Sequence, residues 1–453
     1  MDANPDTAGP ERVWQVVVIG AGQAGLATAH ELLRRGLVPG EDVLVLDAGA
    51  GPGGAWRERW DSLTLGRAHA IADLPGMPLG HAPSDVPASR VVSDYYRRYE
   101  DRFGLRVRRP ARVLSVTSTQ LPAPQLTDTD EGGRALVAPT WDSGAGPARA
   151  GDRGAAPDVP RDTLLEVTAD VEGAERTFRT RMVVSATGTW THPYVPWVPG
   201  APDFRGRQLH TVDYRSASEF AGQRVLVVGG GLSAVQFLLE LAPVADTVWA
   251  TRRPPNFTES TFDDVWGASV ERAVDARTAA GLPPASVVRT TGIPRIPAYL
   301  EGIRQGVLVS RGMFDRIGPR GVRFSPAATF ADAAGLGPSA PMGSGLVEPD
   351  SWRPFEAPTW VEVDVIFWNT GFRHALSHLR PLRLRVPGSR GIVMDGRVTV
   401  AADPRVLLVG YGSSASTVGA TRAGREAGRL AAHRLAARRP AAGRPSPRSV
   451  PRR

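Results

Sequence analysis

The sequence predicts an α/β fold with two parallel-sheet units, and two observations predict it. An apolar run, Val13 to Ile19, is followed at once by Gly20-Ala-Gly-Gln-Ala-Gly25 and then by a segment with helical spacing. The same order returns at Val225 to Val228, Gly229-Gly-Gly-Leu-Ser-Ala234 and Val235 to Leu241. Short runs rich in β-branched residues read as strands buried on both faces, which is the habit of parallel sheets. A chain of 453 residues suits two or three domains of about 150 residues each.

In the first unit, Leu26 to Arg35 forms the helix, and Gly36 stands where a C-terminal cap belongs. Val43 to Leu46 is the second strand, ended by Asp47. From Val91 to Phe103 the aromatics Tyr95, Tyr96, Tyr99 and Phe103 share one face, which predicts an amphipathic helix with its rings in the core. Arg112 to Thr117 and Leu164 to Thr168 read as strands. Between them, residues 121–160 are rich in Pro, Gly, Ala and Asp and read as an irregular insertion. Met182 to Ser185 is a strand that leads into Ala186-Thr-Gly188.

In the second unit, Thr247 to Ala250 follows the helix and runs into Thr251-Arg252-Arg253. Residues 255–350 carry no clear period, and 335–345 read as loop. Val363 to Phe367 and Arg405 to Val409 are the last strands, and Ala423 to Arg439 is the closing helix.

Composition removes several classes of function. The hydrophobic fraction of 42% is that of a globular chain. There is no cysteine, which excludes a disulfide framework, a cysteine metal site and electron transfer through a redox dithiol. No metal site is predicted. The net charge is +8, but residues 434–453 hold seven arginines and no acid, so taking 7 from 8 leaves a body near +1. That distribution predicts no nucleic-acid partner. The tail reads as a disordered extension, with a weak polyanion contact as the other reading. The chain begins polar and acidic, and no apolar run approaches the ~20 residues that span a bilayer. A soluble, cytoplasmic protein without an export signal or membrane span is expected.

Chemistry enters with the glycines. A helix N-terminus presents unpaired N–H groups and a positive dipole end, and glycines let backbone approach a pyrophosphate closely. Gly20, Gly22 and Gly25 form one such cradle, and Asp47, 27 residues after Gly20, offers a carboxylate to ribose hydroxyls. The plainer reading is a glycine turn in an ordinary α/β domain. Gly229, Gly231 and Ala234, with Ser233 on the first turn, form the second cradle. Here the next strand ends not in an acid but at Arg252 and Arg253, which suits the 2′-phosphate of NADPH better than NADH. A solvated surface pair is the alternative. Two dinucleotide sites imply electron traffic between two cofactors. By usual order FAD takes the N-terminal site and NADPH the interior one.

At this point the sequence resembles the class B flavin monooxygenases, a group that includes flavin-containing, Baeyer–Villiger and N-hydroxylating enzymes. Phe204-Arg-Gly-Arg-Gln-Leu-His-Thr-Val-Asp-Tyr214 fits the fingerprint F-x-G-x-x-x-H-x-x-x-[WY] at Phe204, Gly206, His210 and Tyr214. Gly53-Gly54-Ala-Trp56 resembles the G-G-x-W that runs beside the flavin. Ala186-Thr-Gly188 and Trp368-Asn-Thr-Gly371 resemble the two segments that join the domains, with Asn369 where Ala is usual. The stretch from Gly410 to Gly419 resembles the return to the flavin before the last helix.

The resemblance implies two Rossmann-like domains, the NADPH domain inserted into the FAD domain. It places a FAD domain over 12–210 and 355–435, an NADPH domain over 211–354, and disordered ends over 1–11 and 436–453. It implies that His210 couples the two domains. Read alone, His210 is as well explained as a structural histidine, and Trp56 as a core aromatic. The flavin-containing branch often carries an active-site Asn soon after G-G-x-W. Leu63 to His69 offers none, and Arg67 and His69 stand in that place as catalytic candidates. The function implied is NADPH-dependent monooxygenation of a small molecule by O₂ through a C4a-(hydro)peroxyflavin, by N- or S-hydroxylation or Baeyer–Villiger insertion. A homodimer is compatible with it. A reductase or oxidase that oxygenates nothing, and a non-catalytic redox sensor, are the other readings.

Overall fold

The computed structural model describes residues 12–68, 71–119, 163–258, 272, 274–284, 292–329, 347–415 and 417–438. The expected disordered start, the insertion at 121–160, the loop at 335–345, His69 and the tail from 439 onward lie outside the described residues.

The first sheet takes Val13–Ile19 (β1), Val43–Leu46 (β2), Val107–Arg108 (β3), Ala111–Ser118 (β4), Leu165–Val171 (β5) and Ala174–Ser185 (β6). β1 lies between β2 and β6, parallel to both, with Ile19 opposite Leu46 and Ser185. β4, β5 and the outer half of β6 form an antiparallel extension. The chain then leaves for a second sheet made of Arg207–His210 (β7), Arg224–Val228 (β8) and Asp246–Ala250 (β9). Phe257–Thr258 (β10) and Ile293–Pro294 (β11) pair as a separate ladder. Phe314–Gly318 (β12), Gly321–Phe324 (β13) and Thr359–Glu362 (β14) make an antiparallel three-stranded sheet. Val365–Trp368 (β15) enters the second sheet between β7 and β8, giving the parallel order β7-β15-β8-β9. Met394–Asp395 (β16), Thr399–Val400 (β17) and Val406–Leu408 (β18) return to the first sheet, where β18 lies parallel to β6.

The fold class is therefore the expected one, two Rossmann-like α/β units with the second inserted into the first. The boundaries expected at 210/211 and 354/355 do not follow the sheets. β7 and β15, assigned by motif to the first unit, are hydrogen-bonded into the second. Each is a strand on which the chain crosses, and pairing rather than motif position decides its sheet.

Gln23–Arg34 (α1) starts three residues before the first strongly apolar position, because Gln23, Ala24 and Gly25 make its first turn. It ends at Arg34, capped by Arg35, with Gly36 next at φ +82°, a left-handed position that favours glycine. Ala88–Phe103 (α2) buries Tyr95, Tyr96 and Tyr99 completely. The Tyr95 hydroxyl donates to the Met77 carbonyl and accepts from the Leu74 N–H, so its polar tip is satisfied inside the core. Leu232–Leu241 (α3) and Pro297–Arg304 (α4) pack on the second sheet's core around Phe237, Trp249 and Phe367.

Thr417–Arg438 (α5) extends through residues 436–438, which were expected to be disordered. It crosses α1 closely at two glycines. A Cβ on Gly424 would lie 2.5 Å from the Ala24 carbonyl oxygen, and one on Gly428 would lie 2.8 Å from the Glu31 Cβ. Larger residues there would force the helices apart, a kind of overpacking that costs about 1–3 kcal/mol.

Candidate functional site

Three parallel strands of the first sheet end side by side at glycines: β1 at Gly20, β6 just before Gly188 and β18 just before Gly410. Gly20 has φ +97°, and a Cβ there would sit 2.6 Å from the Ala186 carbonyl oxygen. A Cβ on Gly25 would lie 1.8 Å from the Gly20 oxygen, so helix and strand meet backbone to backbone. Gly22 is open, with nothing within 4 Å of its Cβ position. α1 has no capping side chain and no acid in its first turn. An uncapped helix N-terminus without an acid is the condition for receiving a pyrophosphate.

Gly53 and Gly54 have φ of +121° and +52°, and a Cβ on Gly54 would lie 2.9 Å from the Gly22 Cα. The G-G-x-W segment therefore runs against the first cradle. Trp56, half-buried, packs against the cores of both units. On the far side, a Cβ on Gly410 would be 3.9 Å from the Gly188 Cα. These residues are thus gathered at the ends of β1, β6 and β18.

Asp47 is engaged by the protein itself. Oδ2 accepts from the Ala21 N–H at 2.7 Å, and Oδ1 accepts from the Gly49 N–H at 3.0 Å and from Arg109 Nε at 3.1 Å. Arg109 also holds Glu100 through two bonds of 2.6 and 2.7 Å. A carboxylate has about four acceptor positions, so most of Asp47's capacity shapes the cradle and little is left for a sugar.

The second cradle repeats the geometry. Gly229 has φ +138°, and a Cβ there would sit 2.2 Å from the Asn369 carbonyl oxygen. Gly231 precedes α3, which again lacks a capping side chain or an acid in its first turn. Ser233 lies in that turn half-buried, and Ala234 is buried against the sheet. Arg252 is exposed just past β9 and Arg253 is half-buried beside it.

The fingerprint residues sit between the cradles. His210 ends β7 opposite Trp368 on β15. Its Nε2 lies 3.0 Å from the Gly371 carbonyl oxygen, its Nδ1 is buried without a partner, and its backbone N–H donates to Asp213 Oδ2 at 2.8 Å. Burial holds its pKa below the ordinary histidine value. Gly371 itself has φ +81° and is exposed. Tyr214 is buried, and its hydroxyl donates to Glu240 Oε1 at 2.6 Å. Ser62 donates to the same oxygen at 2.5 Å, which ties the segment after G-G-x-W to α3. Arg67 is not brought into this arrangement. Its side chain is exposed, and its bonds are made by the backbone: the N–H donates to the Thr64 carbonyl at 3.0 Å and the carbonyl oxygen accepts from Gln236 at 3.4 Å.

Several residues here were not anticipated. Thr211 donates to Asn369 Oδ1 at 3.0 Å, which accounts for Asn in place of Ala. His374 and His378 lie behind the Gly188 and Gly410 turns, and burial pushes each down to about 4. Arg59 is caged by tryptophans (Trp56, Trp60 and Trp190). Its local signal was an arginine flanked by aromatics in Trp56-Arg-Glu-Arg59-Trp60.

The geometry defines an α/β fold of two parallel-sheet units, each with a glycine turn and an uncapped helix N-terminus at a sheet end. A profile described as FAD dependent oxidoreductase matches residues 15–134, and one described as pyridine nucleotide-disulphide oxidoreductase matches 162–267. With no cysteine in the chain, the second match concerns the nucleotide fold and not dithiol chemistry. A flavin-containing monooxygenase from Stenotrophomonas maltophilia is 30% identical, with 93% of this chain and 98% of that one covered at a TM-score of 0.62. A Baeyer–Villiger monooxygenase from Streptomyces coelicolor is 26% identical over 83% of this chain and 67% of its own length. An uncharacterized oxidoreductase, CzcO, from Bacillus velezensis is 24% identical over 54% of this chain, and that match spans 56% of the relative. The chain thus spans only about half the length of some curated relatives. It belongs to the flavin monooxygenase family of FAD-dependent oxidoreductases, whose cofactors are FAD and NADPH. Among the described residues, no helix is long and apolar enough to cross a membrane, and no cluster of three or more His, Asp or Glu could hold a metal.

Proposed function

We propose that the protein is an NADPH-dependent FAD monooxygenase that adds one oxygen atom from O₂ to a small organic molecule. The overall balance is substrate, NADPH, H⁺ and O₂ giving oxygenated substrate, NADP⁺ and water. The reading covers N- or S-oxygenation and Baeyer–Villiger insertion. The observation that carries it is the pair of uncapped helix N-termini, at Gly22 and Gly231, joined through the segments at 188–190 and 368–373. Bound FAD supplies the redox and oxygen chemistry.

The residues do the holding. Gly20, Gly22 and Gly25 receive the FAD pyrophosphate, and Asp47 fixes that turn through Ala21 and Gly49. Gly53, Gly54 and Trp56 line one side of the flavin groove, and Gly188 and Gly410 the other. Gly229, Gly231, Ser233 and Ala234 receive the NADPH pyrophosphate, and Arg252 with Arg253 receives its 2′-phosphate. His210 acts at the junction by donating Nε2–H to the Gly371 carbonyl, so it positions the second crossing. The reading includes a cytoplasmic location, and a homodimer as the assembly to be checked by light scattering.

The test is anaerobic reduction followed by O₂. NADPH should bleach the visible bands of the FAD-loaded protein. On admission of O₂ with a thioether, amine or ketone panel, oxygenated product should form in proportion to NADPH consumed. Stoichiometric H₂O₂ with no product from any of the panel would replace this reading with an oxidase. A protein that binds no flavin would replace it with a sensor.

A further inference from the structure

Arg59 is a half-buried cation with no anionic partner among the described residues. Its guanidinium carbon lies 3.8 Å from the ring centroid of Trp190, 5.8 Å from Trp56 and 5.9 Å from Trp60. Its Nε is buried without a hydrogen-bond partner, and the side chain makes no hydrogen bond or ion pair among the described residues. Burial pushes it down to about 10, and no carboxylate among the described residues offsets that, so it stays charged at neutral pH. Among the described residues, the neighbouring carboxylates are committed elsewhere. Glu58 faces Arg57, Asp61 pairs with Arg90, and Glu240 accepts from Ser62 and Tyr214.

An unpaired buried charge is costly, and contact with aromatic faces offsets only part of that cost. Such contacts also consume none of the five N–H donors. What the site lacks is an acceptor with two oxygens, which the planar guanidinium fork binds best.

The cage stands where the cofactor segments converge. Trp56 is two residues past Gly54, and Trp190 is two past Gly188. Trp190 stacks on Phe372 at 5.1 Å, next to Gly371, and Phe372 meets His210 edge-on at 5.0 Å. The phosphates of both nucleotides already have receptors, at the two helix N-termini and at Arg252 and Arg253. Resting on the function proposed above, the geometry points to Arg59 as the receptor for a third anion, a carboxylate or phosphate carried by the substrate, so that the enzyme takes anionic rather than neutral molecules.

The experiment uses the full chain loaded with FAD, at measured flavin occupancy. (Phenylthio)acetate, its methyl ester and NADP⁺ are each titrated by calorimetry into wild type, Arg59→Gln and Arg59→Lys. One charge-assisted pair corresponds to roughly 10- to 100-fold in affinity. The acid should bind about that much more tightly than the ester to wild type. The preference should vanish in Arg59→Gln and return in part in Arg59→Lys. A comparable loss of NADP⁺ affinity, with no acid preference in wild type, would identify the anion as the cofactor's phosphate and overturn the substrate assignment. Equal binding of acid and ester to wild type, with NADP⁺ unaffected by either substitution, would reduce Arg59 to a structural cation. The wild-type comparison stands even if Arg59→Gln does not fold. These binding readouts do not depend on turnover. Failure of NADPH to reduce the flavin would count against the proposed function and leave the acid preference to be judged separately.

Discussion

The Nε2–H of His210 donates to the carbonyl oxygen of Gly371 across 3.0 Å, and so fastens the end of β7 to the turn that follows β15. The carbonyl can only accept, which fixes the proton on Nε2 and leaves the buried Nδ1 as the bare nitrogen. His210→Gln can restore a donor to Gly371, whereas His210→Ala leaves the carbonyl without one. We expect His210→Ala to lower stability by about 1 kcal/mol and to slow flavin reduction by NADPH, with His210→Gln recovering most of both. Equal rates in all three proteins, measured by anaerobic stopped flow, would show that this bond does not position the junction.

The two cradles should fail separately. In Gly25→Ala the new methyl would meet the Gly20 oxygen at 1.8 Å, in the first unit. In Gly229→Ala it would meet the Asn369 oxygen at 2.2 Å, at a backbone φ of +138°. Each substitution must shift backbone, at a cost of about 1–3 kcal/mol or more. Gly25→Ala should purify with little flavin. Gly229→Ala should purify yellow but stay oxidised when NADPH is added. Visible absorbance before and after NADPH separates the outcomes, and loss of flavin from both would contradict the assignment of two nucleotides to two cradles.

Arg252 sets the expected choice between nicotinamide cofactors. It is exposed at the end of β9, where a 2′-phosphate would arrive, and a lost charge-assisted bond is worth about 1.5–3 kcal/mol. Arg252→Ala should raise the KM for NADPH by roughly 10- to 100-fold and leave that for NADH unchanged. Steady-state kinetics with both cofactors check it. A parallel change for NADH would mean that Arg252 acts on the fold rather than on the phosphate.

What the sequence disclosed follows from local physics. Buried parallel strands are continuous apolar runs, so β1, β2, β8 and β9 are legible, and the glycines that follow mark both cradles. The antiparallel sheet of β12, β13 and β14 was not legible, because Asp315, Arg316 and Arg323 interrupt its apolar pattern and its third strand comes from far along the chain. The occupation of Asp47 was hidden for a similar reason. Its partner Arg109 lies 62 residues away, and nothing local announces the pair. Arg59 looks like one of three charged residues on a surface turn. Only the arrival of Trp190 from another segment makes it a caged cation.

We expect His374 and His378 to make the first unit sensitive to acid. His378 is buried with Nε2 3.1 Å from the Ser185 hydroxyl, at the end of β6. His374 packs 4.8 Å from the Tyr411 ring, and its Nε2 is buried without a partner. Burial pushes both down to about 4, from 6.5 in an unfolded chain. Their folded pKa values are depressed, so the unfolded state binds the protons first as pH falls below 6.5. The stability they contribute is fully present above 6.5 and is lost between 6.5 and 4, on the order of 3 kcal/mol for each. The Ala375 N–H, between them, donates to the Gly188 carbonyl at 3.0 Å, so the two histidines flank a residue bonded to the turn proposed to hold the flavin. The thermal midpoint of the FAD-loaded protein should therefore fall steeply over this window, with flavin released at the same step. His378→Gln keeps a donor for Ser185 and has no proton to gain, so its midpoint should fall less steeply by about one proton's slope. Carboxylates that titrate in the same range affect both proteins alike and drop out of the difference. Parallel curves for wild type and His378→Gln would mean that this buried imidazole does not control the acid response.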